Sequence, residues 1–159
     1  MSEFQSFLTA TERCVAQARA MLEYEQDKRQ ALLSDDYARL ESMIQSQQAS
    51  IMKLESLEKQ RLEAQERAGY HRLNAEEILA LLDEGPDKET LSRQVDELKR
   101  TLKEIRLQNE KAMEIARANL QIYNTLTSAK DQPVNQGVYK SKRNYDQPFR
   151  ANPSFQKQI

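Results

Sequence analysis

The chain is poor in residues that interrupt or cross-link a fold. Its 159 residues include three glycines and four prolines, and three of the prolines, Pro133, Pro148 and Pro153, lie in the last fifth of the sequence. Because glycine and proline disfavour helix interiors, most of the chain before this region is free to form long helices. Tryptophan is absent and aromatic residues make up 6% of the chain, so we do not expect a thick globular core.

Cysteine and histidine occur once each, as Cys14 and His71. A single cysteine excludes an intramolecular disulfide, and the reducing cytosol is the simplest compartment for such a chain. Since Cys14 lies beside an apolar helical stripe, we expect a packed, inert thiol. His71 has no second histidine or cysteine at metal-ligand spacing, so we expect no metal and no cofactor.

Signals for membranes and for catalysis are also missing from the sequence. We see no basic segment followed by the apolar run of a secretory signal, and no window of about 18 apolar residues that could span a bilayer. The chain has no glycine-rich phosphate loop, histidine pair or nucleophile elbow. We therefore expect a cytoplasmic protein that is not an enzyme and does not insert into membranes.

The chain is instead rich in helix-forming residues. Ala, Glu, Lys, Leu and Arg make up 75 of the 159 residues, and apolar residues recur at steps of three and four, which is typical of long helices or coiled coils. The spacing predicts an all-α fold in which residues 1–130 form an elongated, coiled-coil-like bundle. The expected elements are an antiparallel hairpin of two helices (about 3–33 and 36–68), a short connecting helix (about 75–83) and a long third helix of the bundle (about 88–127).

Three local signals set these boundaries. The apolar stripe slips by one residue across Leu33–Asp36, where Ser and Asp favour a new helix start, so we predict a tight turn; one bent helix would absorb the same slip. Asn74 followed by Glu77 resembles a capping box and predicts a short helix that plugs one end of the bundle. Gly85 and Pro86 then end that helix and begin the long one.

The long helix divides into two halves by pattern. Leu91 to Ile105 is a strong apolar stripe, which we interpret as the bundle's own seam. From Asn109 to Leu126 the apolar residues fit two stripes at once, and a helix with apolar groups on several faces needs more than one partner surface. We predict a partner-binding surface in this second half, and a homodimer would use the same surplus equally well.

Residues 131–159 are predicted to form a flexible basic tail. They carry five basic and two acidic residues, together with Tyr139, Tyr145, Phe149 and Phe155. Aromatic residues in a basic tail suit stacking on bases or anchoring to a protein partner, and a tail without a role fits equally well. Because the positive charge is not concentrated on one face, we expect no nucleic-acid binding.

The order of several segments resembles the FlgN family of flagellar export chaperones. The similar segments are the turn at 31–37, Leu40-Glu41 with the glutamine-rich 45–48 leading to Leu54, Leu57 and Arg61, the short helix 75–82, and 107–111. Asn135 to Tyr139 loosely echoes a Tyr and Gly that follow the family's last helix. The resemblance covers roughly residues 1–140. The turn lacks the glycine often found there, and the last 20 residues match no family pattern.

The resemblance implies a cytoplasmic chaperone that holds the hook-associated (hook-filament junction) proteins FlgK and FlgL and delivers them to the flagellar type III export gate. The family's last helix binds the client, which here corresponds to Asn109 to Leu126. The expected contacts are Asn109, Met113, Ile115, Asn119, Leu120, Ile122, Tyr123, Leu126 and Tyr139. The alternative is a structural coiled-coil adaptor or homodimer that has no export client.

Overall fold

The computed structural model describes residues 1–129 and confirms the all-α fold for them. Four helices follow one another, with no strand among these residues: α1 (Glu3–Leu33), α2 (Tyr37–Arg67), α3 (Ala75–Leu81) and α4 (Pro86–Ala129). The long helix therefore extends beyond the predicted 88–127 at both ends, and the short one stops before the predicted residue 83. The predicted tail, 131–159, lies outside the described residues.

The predicted turn between α1 and α2 is present. Asp36 caps α2 by accepting a hydrogen bond from the Arg39 amide, at 3.2 Å. Asp35 adopts the left-handed conformation, with φ at 55°, which Asp tolerates better than most residues other than glycine. Asp35 thus occupies the left-handed position of the turn without a glycine.

Contacts along the helices establish an up-down-up bundle. The ion pair between Arg67 and Glu3 joins the end of α2 to the start of α1, so these helices are antiparallel. Gln5 contacts Asp87 at one end of the bundle and Lys28 contacts Asn109 further along, so α4 runs parallel to α1. Because α1 packs closely against both α2 and α4, it is the helix that holds the bundle together.

The connecting helix α3 plugs the end of the bundle near the start of α1. Its Ala75 and Ile78 are buried against residues of the three long helices, namely Phe7, Leu8, Ala64, Leu91 and Val95. The linker before α3 is held by Gln65, whose Nε2 donates to the carbonyls of Tyr70 and Leu73 at 2.9 and 3.0 Å. Asn74 caps α3 by accepting from the Glu77 amide at 2.8 Å, as the capping pattern predicts.

The first half of α4 supplies the main seam of the core. Leu91, Val95, Leu98, Leu102 and Ile105 are all buried, and the last three pack with residues of α1 and α2: Cys14, Val15, Ala18, Met21 and Leu54. This cluster lies midway along the bundle, so the three long helices depend on it together.

Removing one side chain from this seam should destabilise the protein strongly. Leu98 is 2% exposed, and Leu98→Ala should lower the free energy of unfolding by about 2–5 kcal/mol because it removes buried methyl groups and leaves a cavity. The matched control is Leu107→Ala on the same helix, where the side chain is 42% exposed and the expected loss is under ~1 kcal/mol. Urea unfolding followed by circular dichroism measures both, and equal losses would contradict this packing.

Candidate partner-binding surface

The expected contact residues occupy one helix but differ sharply in exposure. Asn109 is 4% exposed, whereas Ile122 and Leu126 are 60% and 57% exposed. The remaining described candidates are half-buried: Met113, Ile115, Asn119, Leu120 and Tyr123. Tyr139 lies outside the described residues. The structure therefore separates the candidates into a buried, an intermediate and an open group.

Asn109 belongs to the bundle rather than to an open surface. Its Oδ1 accepts a hydrogen bond from Lys28 Nζ at 3.0 Å, and its Nδ2 lies 3.6 Å from the sulfur of Met113. The next seam residues, Ala112 and Ala116, are also buried. Asn109 is thus buried in the bundle, because this polar residue of the seam has a buried partner on α1.

The hairpin of α1 and α2 stops burying the residues of α4 near Asn119. This residue's Nδ2 donates to the carbonyl of Leu32, one residue before the end of α1, at 3.4 Å. Between Arg117 and Ser128 no residue is buried. Residues 120–129, which we call the overhang, continue α4 past the turn for about 15 Å at the helical rise.

The overhang carries the core stripe of α4 past the end of the hairpin, where Leu120 and Tyr123 are half-buried and Ile122 and Leu126 are exposed. Steps of four, three and four residues lead from the buried Ala112 to Ala116, Asn119 and Tyr123, so Tyr123 projects from the side of α4 that faces the hairpin lower down. Leu120 and Leu126 flank Tyr123 at three residues on either side, and Ile122 lies next to Leu126 at the stripe's edge. The apolar stripe therefore outlasts the hairpin that covers it.

A buried polar layer crosses the bundle just below this region, which the sequence reasoning missed. Lys28 Nζ lies 2.8 Å from Glu25 Oε2, and Gln47 Nε2 donates to Glu25 Oε1 at 2.9 Å. Glu25 is 2% and Lys28 6% exposed. The available signal was that Glu25 and Lys28 stand one turn apart, at the level where polar residues also interrupt the stripes of α2 and α4.

Burial also determines the state of the other ionisable groups in the core. It raises the pKa of Glu58, an effect that the neighbouring Arg61 only partly opposes. It raises the pKa of the Cys14 thiol to about 11, so the thiol is protonated near neutral pH and packs as the sequence predicts. Within residues 1–129, no group of three or more His, Cys, Asp and Glu side chains could hold a metal ion.

Comparison with known proteins identifies the family. A family model described as FlgN protein matches residues 1–147. The chain belongs to the FlgN family. This membership supports a role as a flagellar export chaperone in general. No curated protein and no solved structure matches the chain.

None of the four helices in residues 1–129 is long and apolar enough to cross a bilayer.

The raised pKa of Glu25 gives the polar layer a measurable pH dependence. Desolvation raises this pKa above its ordinary value of 4.5, and Lys28 only partly opposes the shift. As the pH falls from 7 towards 4.5, the folded protein takes up a proton at Glu25 before the unfolded chain does, so Glu25's contribution to stability increases. Glu25→Gln removes this contribution. The unfolding free energy of the wild type relative to Glu25→Gln should therefore rise as the pH is lowered.

Urea unfolding of both proteins at several pH values between 7 and 4.5 measures this difference. The Glu58 carboxyl titrates in both proteins, so its effect cancels in the comparison. A difference that stays constant, or that falls with decreasing pH, would contradict the raised pKa.

Proposed function

We propose that this FlgN-family protein is a cytoplasmic chaperone of flagellar type III export that binds hook-associated proteins of the FlgK and FlgL type through the end of α4. It would prevent their premature assembly and deliver them to the export gate. The observation that carries the proposal is the overhang, where the core stripe of α4 continues beyond the hairpin in a member of a flagellar chaperone family.

The geometry favours a helical client. A stripe that packs against the hairpin at Ala112 and Ala116 already has the spacing for helix-on-helix packing. A client helix laid along the overhang would take the place of the hairpin and cover Tyr123 together with its neighbours Leu120, Ile122 and Leu126. Helix-in-groove recognition uses apolar anchors at this spacing.

The half-buried candidates near the hairpin, Met113, Ile115 and Asn119, lie at the edge of the proposed contact. Met113 and Ile115 are half-buried at the edges of the bundle, and Ile115 packs against the apolar cluster that contains Leu32 and Leu40. Asn119 is engaged with the Leu32 carbonyl. We propose that these residues form the edge of the contact, where a client that extends along α4 would meet the hairpin.

Open apolar side chains supply the energy of the contact. Full burial of an Ile or Leu side chain stabilises by about 1.5–3 kcal/mol, and Ile122 and Leu126 each have more than half of their surface free for this purpose. The entropy lost on association offsets part of the gain. A surface of this length suits a contact that forms before export and dissociates at the gate.

A charge introduced on the overhang should abolish client binding without unfolding the protein. Ile122→Asp places a carboxylate under the client helix, where burial without a partner is costly. We expect at least a tenfold loss of affinity, about 1.4 kcal/mol, for a hook-associated protein of the FlgK or FlgL type. The helical content should stay unchanged, because Ile122 makes no contribution to the buried core.

Met52→Asp is the matched control for this variant. Met52 is 60% exposed, as Ile122 is, but it lies on α2 away from the overhang. Isothermal titration calorimetry measures both affinities. Equal affinities of the wild type and Ile122→Asp, or equal losses in the two variants, would disprove the overhang as the binding surface.

A homodimer is the second candidate, since a second copy of α4 presents the same stripe. Light scattering of the wild type and of Ile122→Asp separates the two functions. A dimer that Ile122→Asp converts to a monomer, with client affinity unchanged, favours the structural adaptor. A monomeric wild type that binds its client favours the chaperone.

A further inference from the structure

The polar layer lies between two apolar clusters of the bundle. The cluster towards the middle of the bundle includes Met21, Leu54, Leu102 and Ile105. The cluster near the turn consists of Ala31, Leu32, Leu40, Ala112 and Ala116. The side chains between them that connect the helices include Glu25, Lys28, Gln47 and Asn109. Beside them, Arg29 Nη1 of α1 lies 3.5 Å from Gln108 Oε1 of α4.

This layer joins all three long helices through directed hydrogen bonds. Lys28 of α1 donates to Asn109 of α4 at 3.0 Å and pairs with Glu25 at 2.8 Å. Gln47 of α2 donates to the same Glu25 carboxylate at 2.9 Å. Asn109 is thus connected, through Lys28 and Glu25, to the opposite arm of the hairpin.

Beyond the layer, the α4 side chains that are fully buried against the hairpin are small, and the larger Ile115 packs at the edge of the cluster. Ala112 and Ala116 are the residues of α4 buried in the cluster near the turn. A methyl group projects little into the facing helix, so alanine packing resists rotation and sliding less than the interlocking of larger side chains. Further along α4, the hydrogen bond from Asn119 to the Leu32 carbonyl is long, at 3.4 Å.

Stability alone does not account for a buried ionic layer at this position. A desolvated pair recovers little net free energy relative to apolar packing, whereas a buried polar contact can specify one helix register. The bond from Lys28 to Asn109, at 3.0 Å, forms at the rotation and height that α4 has relative to α1 in the bundle.

We propose that Asn109 is a positioning residue, whose hydrogen bond to Lys28 fixes the rotation and register of α4 from Ala112 onward. The face that the overhang presents is therefore set about three turns before the overhang begins. The effect on client binding depends on the proposed function, but the effect on helix geometry does not.

The test removes this bond without leaving a charge unpaired. In Asn109→Leu the Lys28 ammonium keeps its partner Glu25. Spin labels on Ala38→Cys in α2 and Gln121→Cys in the overhang, both at exposed positions, report the distance between the turn and the overhang by double electron–electron resonance. The buried Cys14 is replaced by alanine in every protein so that only the two new sites carry labels.

With Asn109 in place we expect a single narrow distance distribution. In Asn109→Leu the distribution should be at least about twice as wide, or should show a second maximum displaced by about one helical turn, ~5 Å. Asn109→Asp keeps an oxygen that accepts from Lys28 and should restore the narrow distribution. Circular dichroism verifies that all the proteins retain the same helical content.

Two results would overturn the proposal. One is a distribution in Asn109→Leu as narrow as with Asn109, and the other is a distribution in Asn109→Asp as broad as in Asn109→Leu. If leucine prevents folding, Asn109→Ala removes the same hydrogen bond without adding volume, and the same comparison applies.

Client affinity, measured on the same proteins without labels, distinguishes the proposal that the overhang binds the client from the proposal that Asn109 positions α4. A broadened distribution with unchanged affinity contradicts the overhang as the client surface and leaves the positioning role supported. A broadened distribution with reduced affinity supports both proposals.

Discussion

The length of α4 relative to its partners is the constraint on which the rest of the structure depends. α1 has 31 residues and α4 has 44, and the two helices begin at the same end of the bundle, where Gln5 contacts Asp87. Because each residue adds about 1.5 Å, the difference in length cannot be absorbed by packing. It leaves the end of α4 without the hairpin that covers the rest of its stripe.

Within the bundle, α1 is the helix that packs on two sides, against α2 and against α4. Several buried positions of α1 occur as adjacent pairs: Phe7 and Leu8, Cys14 and Val15, Gln17 and Ala18, Ala31 and Leu32. Neighbouring residues on a helix point about 100° apart, so buried pairs mean that two faces are covered. α1 therefore lies between α2 and α4, and a change in α1 reaches both arms of the bundle.

The sequence was sufficient to predict the helices but not the depth at which each polar residue lies. The helix order, the turn at Ser34–Asp36 and the cap at Asn74 follow from local periodicity and capping chemistry, which act over a few residues. The burial of Asn109 depends on its hydrogen bond with Lys28, 81 positions away in the sequence. A polar residue in a stripe looks like the end of a seam unless its partner across the bundle is known.

The same limitation applies to the predicted start of the candidate surface at Asn109, which is buried. The sequence predicts this start from the change to polar and small seam residues, yet alanines in a seam can be buried as closely as leucines, as Ala112 shows at 2% exposure. What opens the surface is the end of α1 at Leu33. That end is visible in the sequence as the turn, but its height along α4 is a property of the packed bundle.

The continuity between the core stripe and the overhang bears on how a partner could be held and released. A partner helix on the overhang would extend the packing that the hairpin begins at Ala112. The partner helix would therefore pack on α4 with the same side-chain spacing as the hairpin does. The overhang spans only about ten residues, or ~15 Å, which limits the area that any partner buries there. Since affinity depends on a few well-packed anchors more than on total area, a short stripe with one aromatic and three aliphatic side chains favours reversible binding. The excess length of α4 thus provides an apolar surface that is small enough for a bound partner to dissociate under the proposed function.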